Sequence, residues 1–350
     1  MARNLNTEQA VSNSQKNSAQ IGGELEIARQ KIDRFRLSLG RHLVEKQDLI
    51  DLLIVGAIAQ EPVLLVGPPG TAKSDLVLKV VEGLGLGEDD YFEYMLTRFT
   101  EPSEILGPLD LGQMKEGRYL RRTEGKLPTA KVAFLDEIFK SSSAILNVLL
   151  TILNERKYYQ DGKPEPVPLK LLFAATNEIP EHSELSALKD RFCLKAESKS
   201  VREHHFEELI DAGLRNESNR HRRLAPWKEG LCTLADLELA HHGLLLRFSE
   251  ESSSHDGGIA NDRTRFFPAA VFAEFRRLVE TLAREHRLYI SDRKLVKVYK
   301  LLRARAWLIR GGEVSVEDLL LLCHLGENLR ELRLLEEMVP QYLRLKRPTG

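Results

Sequence analysis

The segment Val63-Leu64-Leu65-Val66-Gly67-Pro68-Pro69-Gly70-Thr71-Ala72-Lys73-Ser74 constrains the fold of this chain more than any other. Four strand-forming apolar residues run into a glycine-bearing loop. After the loop, Leu76, Val77, Val80 and Val81 recur at helical spacing. A strand that is apolar at every residue has no solvent face, so it belongs in a parallel sheet covered on both sides. Gly67 to Ser74 meets the phosphate-binding pattern G-x-x-x-x-G-K-[ST] at every fixed position but one, where Ala72 replaces glycine.

Such a loop aims successive backbone N–H groups at an anion, and the following helix adds the positive end of its dipole. Gly67 and Gly70 supply unusual backbone angles, Lys73 a point charge for the β/γ-phosphates, and Ser74 a hydroxyl that can ligate Mg²⁺. Pro68, Pro69, Thr71 and Leu76 complete the expected nucleotide contacts. Ala72 falls where the helix begins. A negative φ is expected there, at which alanine carries no strain.

Two more apolar runs follow. Lys131 to Glu137 ends in two carboxylates, and Leu171 to Asn177 ends in Thr and Asn. A helix over about 141–154 separates them, and Asp161-Gly162 marks a hairpin within about 156–169. Strands alternating with helices give a parallel sheet with helices on both faces. At its strand end, Asp136 can hold Mg²⁺ through its water shell, and Glu137 can orient or deprotonate the attacking water. Without the phosphate loop, the same pair reads as acidic residues capping the next helix. Asn177 can position that water or touch the γ-phosphate; "TNEIP" also suits an Asn in a turn. Together the three strand ends describe an ATP site.

The rest of the chain frames this core. Residues 1–24 are polar and read as a flexible tail. Helical spacing runs from Glu24 to Ala59 with a break at Gly40. A boundary is expected near Ser200, followed by helices at about 203–213, 234–248, 268–286, 292–310 and 315–336, with a mobile polar loop over 249–263. The fold class is therefore α/β for 25–200, with an all-α region over 201–345. The chain has 51 basic and 52 acidic residues, so nothing draws it globally to nucleic acid or an anionic membrane. Its three cysteines show no metal spacing and fit reduced, buried thiols of a cytoplasmic protein. The longest apolar run, Leu52 to Ala59, is too short to span a bilayer.

With these strand ends in order, the chain resembles the AAA+ ATPases: "GPPGTAKS" looks like Walker A, "VAFLDEI" like Walker B and "FAATNEIP" like the sensor 1 strand. Within them it is similar to the MoxR family, and specifically its RavA-type branch, over roughly residues 25 to 335. The stretch from "EPSEILGPLDLGQMKEGRYL" into Walker B resembles the family's helix-2 insertion, about 102–125 here. "LKDRFCLK" resembles the arginine-finger segment and "YISDRKLVKVYKLLRARAWL" the sensor 2 helix of the lid. Loops reading G-x-A-K-S also occur in that branch.

The resemblance implies an αβα sandwich with a five-stranded parallel sheet, followed by an α-helical lid. It gives Lys73 and Ser74 the Walker A roles, Asp136 and Glu137 the Walker B roles, and Asn177 the sensor 1 role. Arg191 matches the finger that acts in trans on a neighbour's ATP; the lesser alternative is an Arg paired with Asp190 or Glu184. Arg293 matches sensor 2. Ser291 reads independently as a helix N-cap, which puts Arg293 against the helix dipole and makes sense if a phosphate is near. The resemblance further implies ATP and Mg²⁺ as ligands, self-assembly into a ring (most often a hexamer), a von Willebrand factor A-domain partner, and a protein client. Two other readings are a nucleic-acid-stimulated motor and a nucleotide-gated scaffold with little turnover.

Overall fold

The computed structural model describes residues 22–181, 185–252 and 265–345. The tail expected over 1–24 lies outside the described residues up to residue 21; from 22 the chain is already in helix α1, residues 22–40. Then come α2 (Gln47–Ala59), β1 (Val63–Val66), α3 (Lys73–Gly83), β2 (Tyr91–Met95), α4 (Pro102–Leu106), α5 (Leu111–Lys115), β3 (Val132–Asp136) and α6 (Ser143–Glu155). The hairpin β4 (Lys157–Gln160) and β5 (Lys163–Pro166) is followed by β6 (Leu171–Thr176), α7 (Ser186–Arg191) and β7 (Leu194–Glu197). Helices α8 (Phe206–His221), α9 (Leu234–Ser252), α10 (Ala269–His286) and α11 (Asp292–Arg310) precede a 3-10 stretch, Val316–His324, and α12 (Leu329–Tyr342).

Five strands form one sheet in the order β2-β3-β6-β1-β7, with every pair parallel. The α/β class with a helical C-terminal region is thus as expected. The apolar runs are buried because alternate residues feed two separate cores. Leu65, Phe134 and Phe173 face α1, α2, α3 and the C-terminal helices; Leu64, Leu135 and Leu172 face α6, α7 and the 102–130 region. One continuous core therefore joins a sheet face to helices α9–α12. Ion pairs tie the C-terminal helices to the sheet: Lys297 of α11 with Glu61 just before β1 at 2.9 Å, Lys195 of β7 with Glu327 just before α12 at 3.2 Å, and Arg333 of α12 with Glu197 of β7 at 2.5 Å. Lys294 shares Glu327 with Lys195. Burial, with Lys294 alongside, pushes the Lys195 pKa down to about 8.

Three expectations need correction. The pattern over 315–336 is two elements: the 3-10 stretch ends at His324 with Leu325 as its cap, and Asn328 opens α12 by accepting the Glu331 N–H at 2.9 Å. Of the loop expected over 249–263, residues 249–252 continue α9 and the rest lies outside the described residues. The helix expected at 203–213 starts at Phe206 and runs to His221. The hairpin turn is as its residues suggest, with φ of 50° at Asp161 and 73° at Gly162. Cys193, Cys232 and Cys323 are buried and free, and burial raises their pKa values to about 11, 12 and 12. Among the described residues no helix is long and apolar enough to cross a membrane.

Phe173 is 1% exposed and sits opposite Phe134 in the β3–β6 register. Phe173→Ala should lower stability by about 3–5 kcal/mol. A urea titration checks this: the midpoint should fall with the slope unchanged.

Candidate functional site

The site is built at the carboxyl ends of β1, β3 and β6. The crest Pro68-Pro69-Gly70 is exposed, whereas Gly67, Thr71 and Lys73 are buried. Helix α3 starts at Lys73, so its first-turn N–H groups have no intrahelical partners and open toward the loop. The Lys73 ammonium donates to Gly67 O at 2.5 Å, Pro68 O at 3.0 Å and Asn177 Oδ1 at 3.2 Å. Burial lowers its pKa, while Asp136 and Glu137 act to keep it charged. Ser74 Oγ donates to Asp136 Oδ2 at 2.9 Å. Asn177 Nδ2 donates to Glu137 Oε1, and Lys140 lies 3.2 Å from the same oxygen.

The loop is fastened from behind by the end of β7. Ser198 N donates to Val66 O at 2.7 Å, and Ser198 Oγ donates to Thr71 O at 2.7 Å. Buried Lys46 donates to Ser198 Oγ at 3.3 Å and to Lys199 O at 2.7 Å. Gly67 has φ +156°, and a Cβ there would lie 2.6 Å from Ser198 O. Sequence reasoning passed over Ser198 and Lys46. The only signal for Ser198 is a polar residue closing an apolar strand; a single Lys before a helix gives none for Lys46.

Ala72 corrects an expectation. Its φ is +61° and ψ 23°, left-handed, not the negative φ expected. A side chain there costs roughly 1–2 kcal/mol. Glu137 is also left-handed, at φ 53° and ψ 41°. Two strained non-glycine residues at one site mark geometry imposed by its surroundings.

The donor set fits Mg²⁺ and a nucleotide. A hydroxyl and a carboxylate meet at Ser74–Asp136, oxygen donors of the kind Mg²⁺ takes. Glu137 is 5% exposed, and its Oε2 is buried with no hydrogen-bond partner. A buried carboxylate oxygen in that state calls for a donor, such as an attacking water.

The remaining candidates lie elsewhere. Leu76 is fully buried in the core. Arg191 precedes β7, whose first residue Leu194 is level with Val63 at the start of β1. The loop follows Val66, about 10 Å further along the strand. Lys297, one turn after Arg293, pairs with Glu61 and donates to Arg191 O at 3.5 Å. Arg293 is exposed in the first turn of α11, where Ser291 caps by accepting the Lys294 N–H at 3.2 Å. Burial, and then the nearby Arg293 charge, lowers the pKa of Arg191. Its Nε is buried without a partner, and Asp190 stands 4.0 Å away. The structure thus groups Arg191 with Arg293 at the opposite end of the sheet from Lys73. Lys294 is buried and held by Leu325 O and Glu327.

Comparison with known proteins agrees with this frame. Residues 30–234 match the family model described as the MoxR domain of MoxR–vWA–β-propeller ternary systems. The chain belongs to the MoxR family of AAA+ proteins. Residues 270–333 match an AAA lid domain. An uncharacterised protein of Methanocaldococcus jannaschii is 33% identical over 296 residues, covering 84% of this chain and 70% of that protein. The chaperone MoxR1 of Mycobacterium tuberculosis is 27% identical over 168 residues, covering 47% of this chain and 43% of that one. A crystal structure of a proposed ATPase from Cytophaga hutchinsonii shares the fold, with a TM-score of 0.66 at 16% identity, covering 96% of this chain and 99% of that one.

Gly67→Ala should abolish nucleotide binding, since the new methyl meets the Ser198 carbonyl. Ala72→Gly should retain binding and gain about 0–1 kcal/mol of stability, because relieved strain outweighs added unfolded-state entropy. Binding of a fluorescent ATP analogue and thermal melts of both variants check this. Tight binding by Gly67→Ala would show that the loop geometry is not what holds the anion.

Proposed function

We propose that this chain is a MoxR-family ATPase of the RavA-type branch that hydrolyses ATP at seams between copies and uses the motion to remodel protein clients. The observation that carries the reading is the convergence of Lys73, Ser74, Asp136, Glu137 and Asn177 on one loop, with one Glu137 oxygen left unpaired.

When bound, ATP would supply the phosphoanhydride to be cleaved and Mg²⁺ the positive charge that offsets its phosphates. Lys73 would present its ammonium to the β/γ-phosphates, and Ser74 with Asp136 would hold the ion. Glu137 takes the water's proton through its unpaired oxygen while Asn177 and Lys140 fix the other oxygen. Arg191 and Arg293 are too far along the sheet to serve their own loop, so they serve the loop of a neighbouring copy. A guanidinium fork suits γ-phosphate charge.

The assembly proposed is a ring, a hexamer by resemblance to AAA+ proteins. The helical region over 201–345 transmits the change, and the 102–125 segment with the hairpin meets the client. Tyr159 is 59% exposed on that hairpin, whereas Tyr158 is packed into the core. A partner carrying a vWA domain is supported by the ternary systems to which the matching family belongs, and a chaperone role by the similarity to the mycobacterial chaperone MoxR1.

ATP hydrolysis per subunit should rise with protein concentration. Lys73→Ala and Arg191→Ala should each lose about 10³-fold or more in kcat. An equimolar mixture of the two should recover part of the activity, because one seam in the mixture pairs an intact loop with an intact arginine. Specific activity that is flat with concentration, with Arg191→Ala unaffected, would overturn the shared site.

A further inference from the structure

We infer that Arg156 reaches across the seam beside Arg191 and acts on the phosphates held by the next copy of this chain. The inference deepens the seam reading above and rests on it.

Topology carries Arg156 to the end of the molecule where Arg191 stands. Helix α6 leaves the carboxyl end of β3, and the chain re-enters the sheet at the amino end of β6, so α6 finishes at the amino ends of the strands. Arg156 directly follows α6, and its carbonyl accepts the Val167 N–H at 2.7 Å, shortly before β6. Ile145, Leu149 and Ile152 of α6 share one core with Leu188 of α7 on the same face of the sheet. Arg156 at the end of α6 and Arg191 at the end of α7 therefore lie on one face and at one end, away from their own phosphate loop.

Glu61, just before β1, links the two. It pairs with Lys297 at 2.9 Å and with Lys300 at 2.5 Å, one through each carboxylate oxygen. Lys297 also donates to Arg191 O at 3.5 Å. Burial lowers the pKa of Arg156, with the Glu61 charge opposing. An arginine stays ionised all the same. Yet Arg156 Nη1 is buried without a hydrogen-bond partner among the described residues, as is Arg191 Nε.

A buried guanidinium with an unpaired donor is costly within one chain. An anion brought by another copy removes that cost. Arg156 also holds φ 53° and ψ 40°, the left-handed conformation that a helix end commonly gives to glycine. Strain borne by an arginine there marks the side chain, and not the turn, as what the position needs. A neighbour that sets Arg191 on the next loop brings that loop's phosphates to the same end and face. Two guanidinium forks then meet the γ-phosphate oxygens, over which charge spreads in the transition state.

The experiment uses the full chain and two readouts. Sedimentation velocity follows assembly with Mg²⁺ and either ADP or a non-hydrolysable ATP analogue. The analogue should tighten wild-type assembly, and Arg156→Ala should lose about tenfold of that tightening while assembling as wild type does in ADP. ATP hydrolysis by Arg156→Ala should fall about 10²–10³-fold in kcat. An equimolar mixture with Lys73→Ala should recover part of the rate, which also proves the variant folded. A mixture with Arg191→Ala should recover none, because every seam then lacks one of the two arginines. Should Arg156→Ala misfold, Arg156→Lys takes its place with the same mixing pattern. Recovery in the Arg191→Ala mixture places Arg156 with its own loop and overturns the inference, as does wild-type hydrolysis by Arg156→Ala. If Lys73→Ala rescues Arg191→Ala but not Arg156→Ala, the seam stands and Arg156 has no part in it. If it rescues neither, the shared seam itself falls.

Discussion

The pairing of β1 with β7 is the constraint on which the site depends. It carries Ser198 to the carboxyl end of β1, where its N–H holds Val66, its hydroxyl holds Thr71, and its carbonyl leaves room only for glycine at position 67. The phosphate loop is therefore backed by a strand end as well as bounded by its own strand and helix. Lys46 extends this support to the start of α2, so two separate segments converge behind the loop. With that frame rigid, the strained backbone at Ala72 and Glu137 is held by its surroundings.

The same pairing fixes the ends of the molecule. Because all five strands are parallel, every carboxyl end, with the loop, the Ser74–Asp136 pair and Glu137, lies on one side. Arg191 and the start of α11 lie on the other, since they adjoin the amino ends of β7 and β1. The buried charges of Lys195 and Lys294, shared by the half-buried Glu327, then hold the C-terminal helices to that edge.

Much of this was legible from residues because burial on two faces leaves unbroken apolar runs. Val63–Val66, Val132–Leu135 and Leu171–Ala175 announced three parallel strands, and their polar terminators, Gly67, Asp136 with Glu137, and Asn177, announced the site. Edge strands β2 and β7 were harder to read, since Tyr91–Met95 is only partly buried and Leu194–Glu197 contains Lys195. The left-handed backbone at Ala72 and Glu137 was invisible because neither residue type favours that region. Ser198 and Lys46 act through contacts with residues over a hundred positions away in the chain, which no local pattern encodes. The division of 315–336 into two elements turned on a single cap at Asn328.

The separation of Lys73 from Arg191 within each chain has a consequence for stoichiometry. On the proposed reading, one chain supplies half of two different sites and the whole of none. In a closed ring, every loop meets a pair of arginines, and working sites equal copies. In an open stack, the copy at one end holds a loop that no arginine reaches, and the copy at the other end holds arginines with nothing to act on. An open stack of n copies therefore has n − 1 competent sites, and adding or losing one terminal copy changes the turnover of the stack by one whole site.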